Sequence, residues 1–213
     1  MPLIDQLHSG LDAGVKRHWR YAKEMFDIKP EYLMTIAVAD ALSDGYDNVN
    51  GLDVEIRLER PTHKAVYQVL EGFVTNKQWF AIRKDAVGSI LRKGKVDVIA
   101  TAAKQIHLVE LKGFDPAKGQ IKKEIERFQD FFGLNKGTNA VRGGHVVFPS
   151  KTSCEKRLKV YGSTLIMDPA LTFEVICRKQ VTGEDSQDGI PAYFTNSISI
   201  TRRAGAASET TDK

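Results

Sequence analysis

Cysteine is scarce. Cys154 and Cys177 are the only two, and they form no Cys-X-X-Cys pair. That excludes a disulfide scaffold, and two reduced thiols in a cytoplasmic protein are the expectation. The five histidines, His8, His18, His63, His107 and His145, have no metal-ligand spacing. No apolar run approaches the ~20 residues of a membrane span. The start, Met-Pro-Leu-Ile-Asp-Gln-Leu, lacks the basic residues and apolar centre of a signal peptide, so no membrane partner is expected. Also missing are a phosphate-binding glycine loop, a dinucleotide fingerprint and a Gly-X-Ser-X-Gly elbow.

The 213 residues suit one domain, large enough to bury about 70% of its extended surface. The net charge is a modest +4, but it is unevenly spread. Between Arg83 and Lys95 stand Arg83, Lys84, Arg92, Lys93 and Lys95 against a single acid, Asp85. Further basic clusters are Lys151, Lys156, Arg157 and Lys159, and Lys16, Arg17, Arg20 and Lys23 around Trp19 and Tyr21. Such clusters are either solvated faces or a surface for a polyanion.

Apolar spacing predicts a helix over 3–26, weakened at Gly10 and Gly14 and so either one helix or two short pieces. A second helix is predicted over 30–43, with Met34, Thr35, Val38 and Leu42 on one face and Glu31 one turn earlier. Glu31 there either serves a site or favours the positive end of the helix dipole. Residues 52–60 alternate as a half-buried strand, with Val54, Ile56 and Leu58 inward and Glu55 on the polar side. His63–Val74 reads as helix or strand, and Gln78–Arg83 as a strand. A helix over 120–132 carries Ile121, Ile125, Phe128 and Phe132 on one stripe and stops at Gly133. With strands at 105–112 and 144–148 it makes a parallel βαβ crossover. Strands are also expected at 163–167 and 171–179, and a disordered tail over 204–213.

The most informative stretch runs from Val96 to Lys112. Two apolar runs flank a short polar break, as in a β-hairpin. The first contains one charge, Asp97; the second contains Glu110 and is followed at once by Lys112. Strand alternation sets Glu110 and Lys112 on one face. A turn centred on Ala103-Lys104 places Asp97 opposite Glu110, with Cβ atoms about 4.5–5.5 Å apart. Two facing carboxylates in an apolar hairpin repel unless a cation lies between them, and hard oxygen ligands suit Mg²⁺.

Asp97, Glu110 and Lys112 resemble the signature of the PD-(D/E)XK nuclease superfamily, although Val96 stands where that signature has proline. The order helix, strand, hairpin strand, strand, helix, strand over residues 30–148 is similar to its αβββαβ core. The resemblance implies an α/β fold with a mixed central sheet flanked by helices. It divides the chain into an N-terminal helical extension (1–29), a nuclease-like domain (30–203) and the tail. It further implies a Mg²⁺-dependent DNA endonuclease of restriction, defence or repair type, with Mn²⁺ as substitute metal and a homodimer as one possible assembly. Asp97, Glu110 and the Leu111 carbonyl would bind the metal, with Glu31 or Glu55 as a third acid. Lys112 would hold the water and stabilise charge. Arg92, Lys93, Lys95 and Gln120 would contact the nucleic acid, DNA being favoured over RNA. The alternative is a catalytically silent relative that binds nucleic acid or acts as a regulatory subunit.

Overall fold

The computed structural model describes residues 3–23, 31–47, 55–61, 64–65, 94–102, 105–134, 141–166, 168–180 and 189–203. The expectations for 66–83, the basic residues Arg83–Lys93 and the tail lie outside them. The elements in chain order are α1 (Leu3–Ala22), α2 (Glu31–Asp47), β1 (Glu55–Pro61), β2 (Lys95–Ala102), β3 (Gln105–Leu111), α3 (Lys118–Leu134), β4 (Val141–Ser150), α4 (Glu155–Leu165), β5 (Leu171–Gln180) and β6 (Tyr193–Arg202). Among the described residues, six strands form one mixed sheet in the order β1-β2-β3-β4-β6-β5. Only β3 and β4 are parallel; the other neighbours are antiparallel.

Both faces of the sheet are covered, so its central strands are apolar on both sides. Ile106 and Leu108 of β3, Val146 and Phe148 of β4, and Ile198 and Ile200 of β6 pack with Ile121, Ile125, Phe128, Phe131 and Phe132 of α3 and Leu158 of α4. Val109 and Leu111 of β3 and Val147 of β4 pack on the opposite face with Leu7, Leu11 and Val15 of α1 and Met34, Val38 and Leu42 of α2.

α1 is one continuous helix rather than two pieces. Its glycines are where α2 crosses: a Cβ on Gly10 would lie 2.6 Å from Val38 Cα, and one on Gly14 2.8 Å from Met34 Cα. Close helix packing thus outweighs the propensity loss of about 1 kcal/mol per glycine.

Three expectations need correction. Residues 163–165 end α4 rather than begin a strand. Gly162 sets α4 against β5 so tightly that a Cβ there would meet the Phe173 ring at 2.0 Å. Leu58 of β1, expected to face inward, is 39% exposed; among the described residues β1 is an edge strand of the sheet. The strand over 144–148 extends to Val141–Ser150 and pairs with β6, an interior strand that the sequence reading missed. Thr195, Ser197 and Ser199 dilute the hydrophobic signal of β6, yet all three are buried. His8 of α1 bridges Thr195 Oγ1 (2.7 Å) and Ser197 Oγ (3.0 Å), and Ser199 Oγ lies 2.9 Å from His145 Nδ1.

Candidate functional site

The β2–β3 pairing runs from Ala102↔Gln105 to Val98↔Val109. Continued by one residue, this register sets Asp97 across from Glu110. β2 is irregular at that point. Val96 packs on the α3 face and Val98 on the α1–α2 face, although their even spacing would put them together. On the neighbouring strand, Glu59 has a left-handed φ of 46°, between Leu58↔Val98 and Arg60↔Val96. Asp97 is thereby turned to the end of β3, where its Oδ2 accepts the Leu111 N–H at 2.7 Å.

Glu110 and Lys112 share the α3 face, as alternation requires, and Lys112 Nζ donates to Glu110 Oε1 at 2.7 Å. Arg127 of α3 donates to Glu110 Oε2 through Nη2 and to the Lys95 carbonyl through Nη1 at 3.2 Å. Glu124, one helical turn earlier, lies 3.3 Å from Lys112 and 3.0 Å from Arg127. Glu110 is 5% exposed and Arg127 6%. Glu31, at the first turn of α2, reaches over the other side of the strand end and accepts the Gly113 N–H at 3.1 Å.

Burial, with Asp97 and Glu124 close by, pushes the Glu110 carboxyl up to about 7 against the opposing pull of Arg127 and Lys112. Burial also raises Asp97; the Leu111 N–H, Lys112 and Arg127 oppose this, while Glu31 adds to it. Burial alone would lower the Lys112 pKa, but Glu110, Glu124 and Asp97 outweigh it and keep the amine a cation.

Asp97, Glu110, Leu111, Lys112 and Glu31 therefore meet at one end of the β2–β3 pair. Glu55 does not: it pairs with Thr101, toward the other end of β2, and forms an exposed ion pair with Arg57. Gln120 is exposed, and its side chain accepts the Ala117 N–H at 2.9 Å at the start of α3. Lys95 is exposed and bound to Glu59 at 2.6 Å. Arg92 and Lys93 lie outside the described residues. Glu124 and Arg127 are not among the residues expected at the site, yet the structure buries both against Glu110 and Lys112. The available signal was their position beside the apolar stripe of α3.

The donor set fits a divalent cation in kind: hard carboxylate oxygens, raised by burial and by one another, on facing strands. It is not drawn together as a cage. Among the described residues, no three or more His, Cys, Asp or Glu groups are placed to hold a metal. Glu110 is turned to Arg127 and Glu31 to Gly113. Among the described residues, only Oδ2 of Asp97 takes a hydrogen bond. No described helix is long and apolar enough to cross a membrane. In comparisons with known proteins, the chain matches no family model, no curated protein and no solved structure.

Proposed function

We propose that the protein is a Mg²⁺-dependent nuclease of the PD-(D/E)XK type, acting on DNA in restriction, defence or repair. One observation carries this reading. Lys112, just past the end of β3, and Glu110 of β3 are in contact at 2.7 Å, and Asp97 of the facing strand is hydrogen-bonded to Leu111, the residue between them. Among the described residues, the order α2, β1, β2, β3, α3, β4, with β1 and β3 each antiparallel to β2 and β4 parallel to β3, supports it as a pattern.

Asp97, Glu110 and the Leu111 carbonyl would hold the ion, with Glu31 as the third acid. When bound, Mg²⁺ (or Mn²⁺) would supply an activated water and an electrophilic phosphorus. Lys112, kept cationic by its carboxylate neighbours, orients the attacking water and stabilises negative charge on the phosphorane. Lys95, whose carbonyl accepts from Arg127, and Arg92 and Lys93, close to it in sequence, would bring basic charge to the phosphate backbone. Cleavage of both strands of a duplex would call for two such sites, hence a homodimer.

The test compares supercoiled, linear and single-stranded substrates with Mg²⁺ or Mn²⁺, using wild type and Lys112→Ala. Cleavage by the wild type alone is expected; no cleavage of any DNA or RNA would sink the proposal. A second reading, a silent fold that binds nucleic acid or regulates a partner, is favoured by the engagement of both Glu110 oxygens by Lys112 and Arg127. It requires metal-independent binding that Glu110→Gln leaves unchanged.

A further inference from the structure

Lys112, Glu110, Arg127 and Glu124 form a closed ring of alternating charge. Lys112 touches Glu110 and Glu124, and Arg127 touches the same two carboxylates from the other side. Two basic side chains thus alternate with two carboxyl groups. Burying the ring contributes little net stability, since desolvation offsets most of the attraction.

The ring is unevenly bonded. Arg127 hydrogen-bonds Glu110, whereas Glu124 Oε2 is buried without a hydrogen-bond partner among the described residues, although Arg127 Nη2 stands 3.0 Å away. Arg127 Nε is likewise buried without a partner among the described residues. One acceptor and one donor, three residues apart on α3, are therefore uncommitted there. A guanidinium presents several donors in a planar fork and can exchange one carboxylate for another by a small rotation.

We propose that Arg127 competes with a divalent ion for Glu110 and shifts its hydrogen bonds to Glu124 when the ion binds. The inference rests on the metal-dependent reading above. Arg127 is then a positioning residue that competes with the ion for Glu110 Oε2, and Glu124 is its second seat. The seat keeps the guanidinium paired after transfer, since a buried unpaired charge would be costly. Metal affinity is set by the difference between the two positions rather than by the ligands alone.

The two partners should act in opposite directions, which a merely structural ion pair would not do. Mn²⁺ and Mg²⁺ binding is measured by titration calorimetry on the full chain, alongside melting curves with and without Mn²⁺. Arg127→Gln frees Glu110 and should tighten Mn²⁺ binding on the order of tenfold. It should melt lower than wild type without the ion and recover when Mn²⁺ is added. Glu124→Gln removes the second seat and should weaken binding by a similar factor. Arg127→Lys keeps the charge but loses the fork, and serves if Arg127→Gln fails to fold; tighter binding is expected there too. Equal affinities, or shifts of the same sign in the Arg127 and Glu124 variants, overturn the exchange while leaving the nuclease reading standing. A folded wild type that binds neither ion overturns both.

Discussion

Asp97 Oδ2 accepts the backbone N–H of Leu111 at 2.7 Å, so one carboxylate both closes the end of the β2–β3 ladder and faces Glu110. These two duties separate by substitution. Asp97→Asn keeps a carbonyl acceptor for the N–H and removes the charge. It should leave the melting temperature nearly unchanged while weakening Mg²⁺ binding by at least about tenfold. Asp97→Ala leaves a backbone donor unpartnered and should cost about 1–3 kcal/mol. Equal melting temperatures for Asn and Ala would show that the hydrogen bond carries no stability.

Glu31 and Glu55 were equivalent candidates by type, and the structure separates them. Glu31→Gln still accepts the Gly113 N–H and should preserve stability while reducing Mn²⁺ affinity about tenfold. Glu55→Gln, at an exposed ion pair, should change neither by more than about 0.5 kcal/mol. Calorimetry on the pair decides: a larger loss of metal binding at Glu55 would reject the third-ligand assignment.

Gly10 is the point of contact between α1 and α2. Gly10→Ala raises helix propensity by about 1 kcal/mol, yet its Cβ would sit 2.6 Å from Val38 Cα. Backbone cannot yield as a flexible side chain can, so the clash should win, with a net loss of about 1–3 kcal/mol. The melting temperature should fall by roughly 2–4 °C for each kcal/mol lost. An unchanged or raised melting temperature would mean that the helices separate freely.

Two buried histidines, His8 and His145, and the partly buried His107 make stability depend on pH. Burial, reinforced by Arg178, pushes His8 down to about 4. Burial, reinforced by Arg142, does the same to His107. His145, fully enclosed beside His107, is held well below its ordinary value. The native state keeps these rings neutral, while the unfolded chain takes up protons below the ordinary 6.5. The unfolded state therefore binds more protons as pH drops, so this contribution is whole above 6.5 and is lost as pH falls toward 4. The raised carboxyls of Asp97 and Glu110 act in the opposite sense, so the test is a difference between two proteins. His107→Gln should flatten the decline in denaturant midpoint between pH 6.5 and 4 relative to wild type. Parallel curves would count against the histidine account.

Much of the fold was legible because its cause is local. The apolar stripe of α3, Ile121 through Phe132, demands a helix packed on one face. Facing a strand on each side, that helix leads to the parallel β3–β4 pair that the structure contains. β6 was not legible: Thr195, Asn196, Ser197 and Ser199 look like surface in sequence. They are buried because His8, Ser150 and His145 satisfy them from distant parts of the chain. The same blindness hid α4, whose Gly162 suggests a break until Phe173 is seen to fill the space above it.

For the candidate site, the sequence by itself determined the residue types, the shared face of Glu110 and Lys112, and the hairpin register that sets Asp97 across from Glu110. All of these follow from a two-residue period and a short turn, which act over a few residues. Only the tertiary structure decided which acid joins them, Glu31 rather than Glu55, and that Arg127 and Glu124 complete a buried ring of charge around Glu110. Those choices depend on how α2 and α3 dock against the sheet, and docking is set by cores whose members lie tens of residues apart.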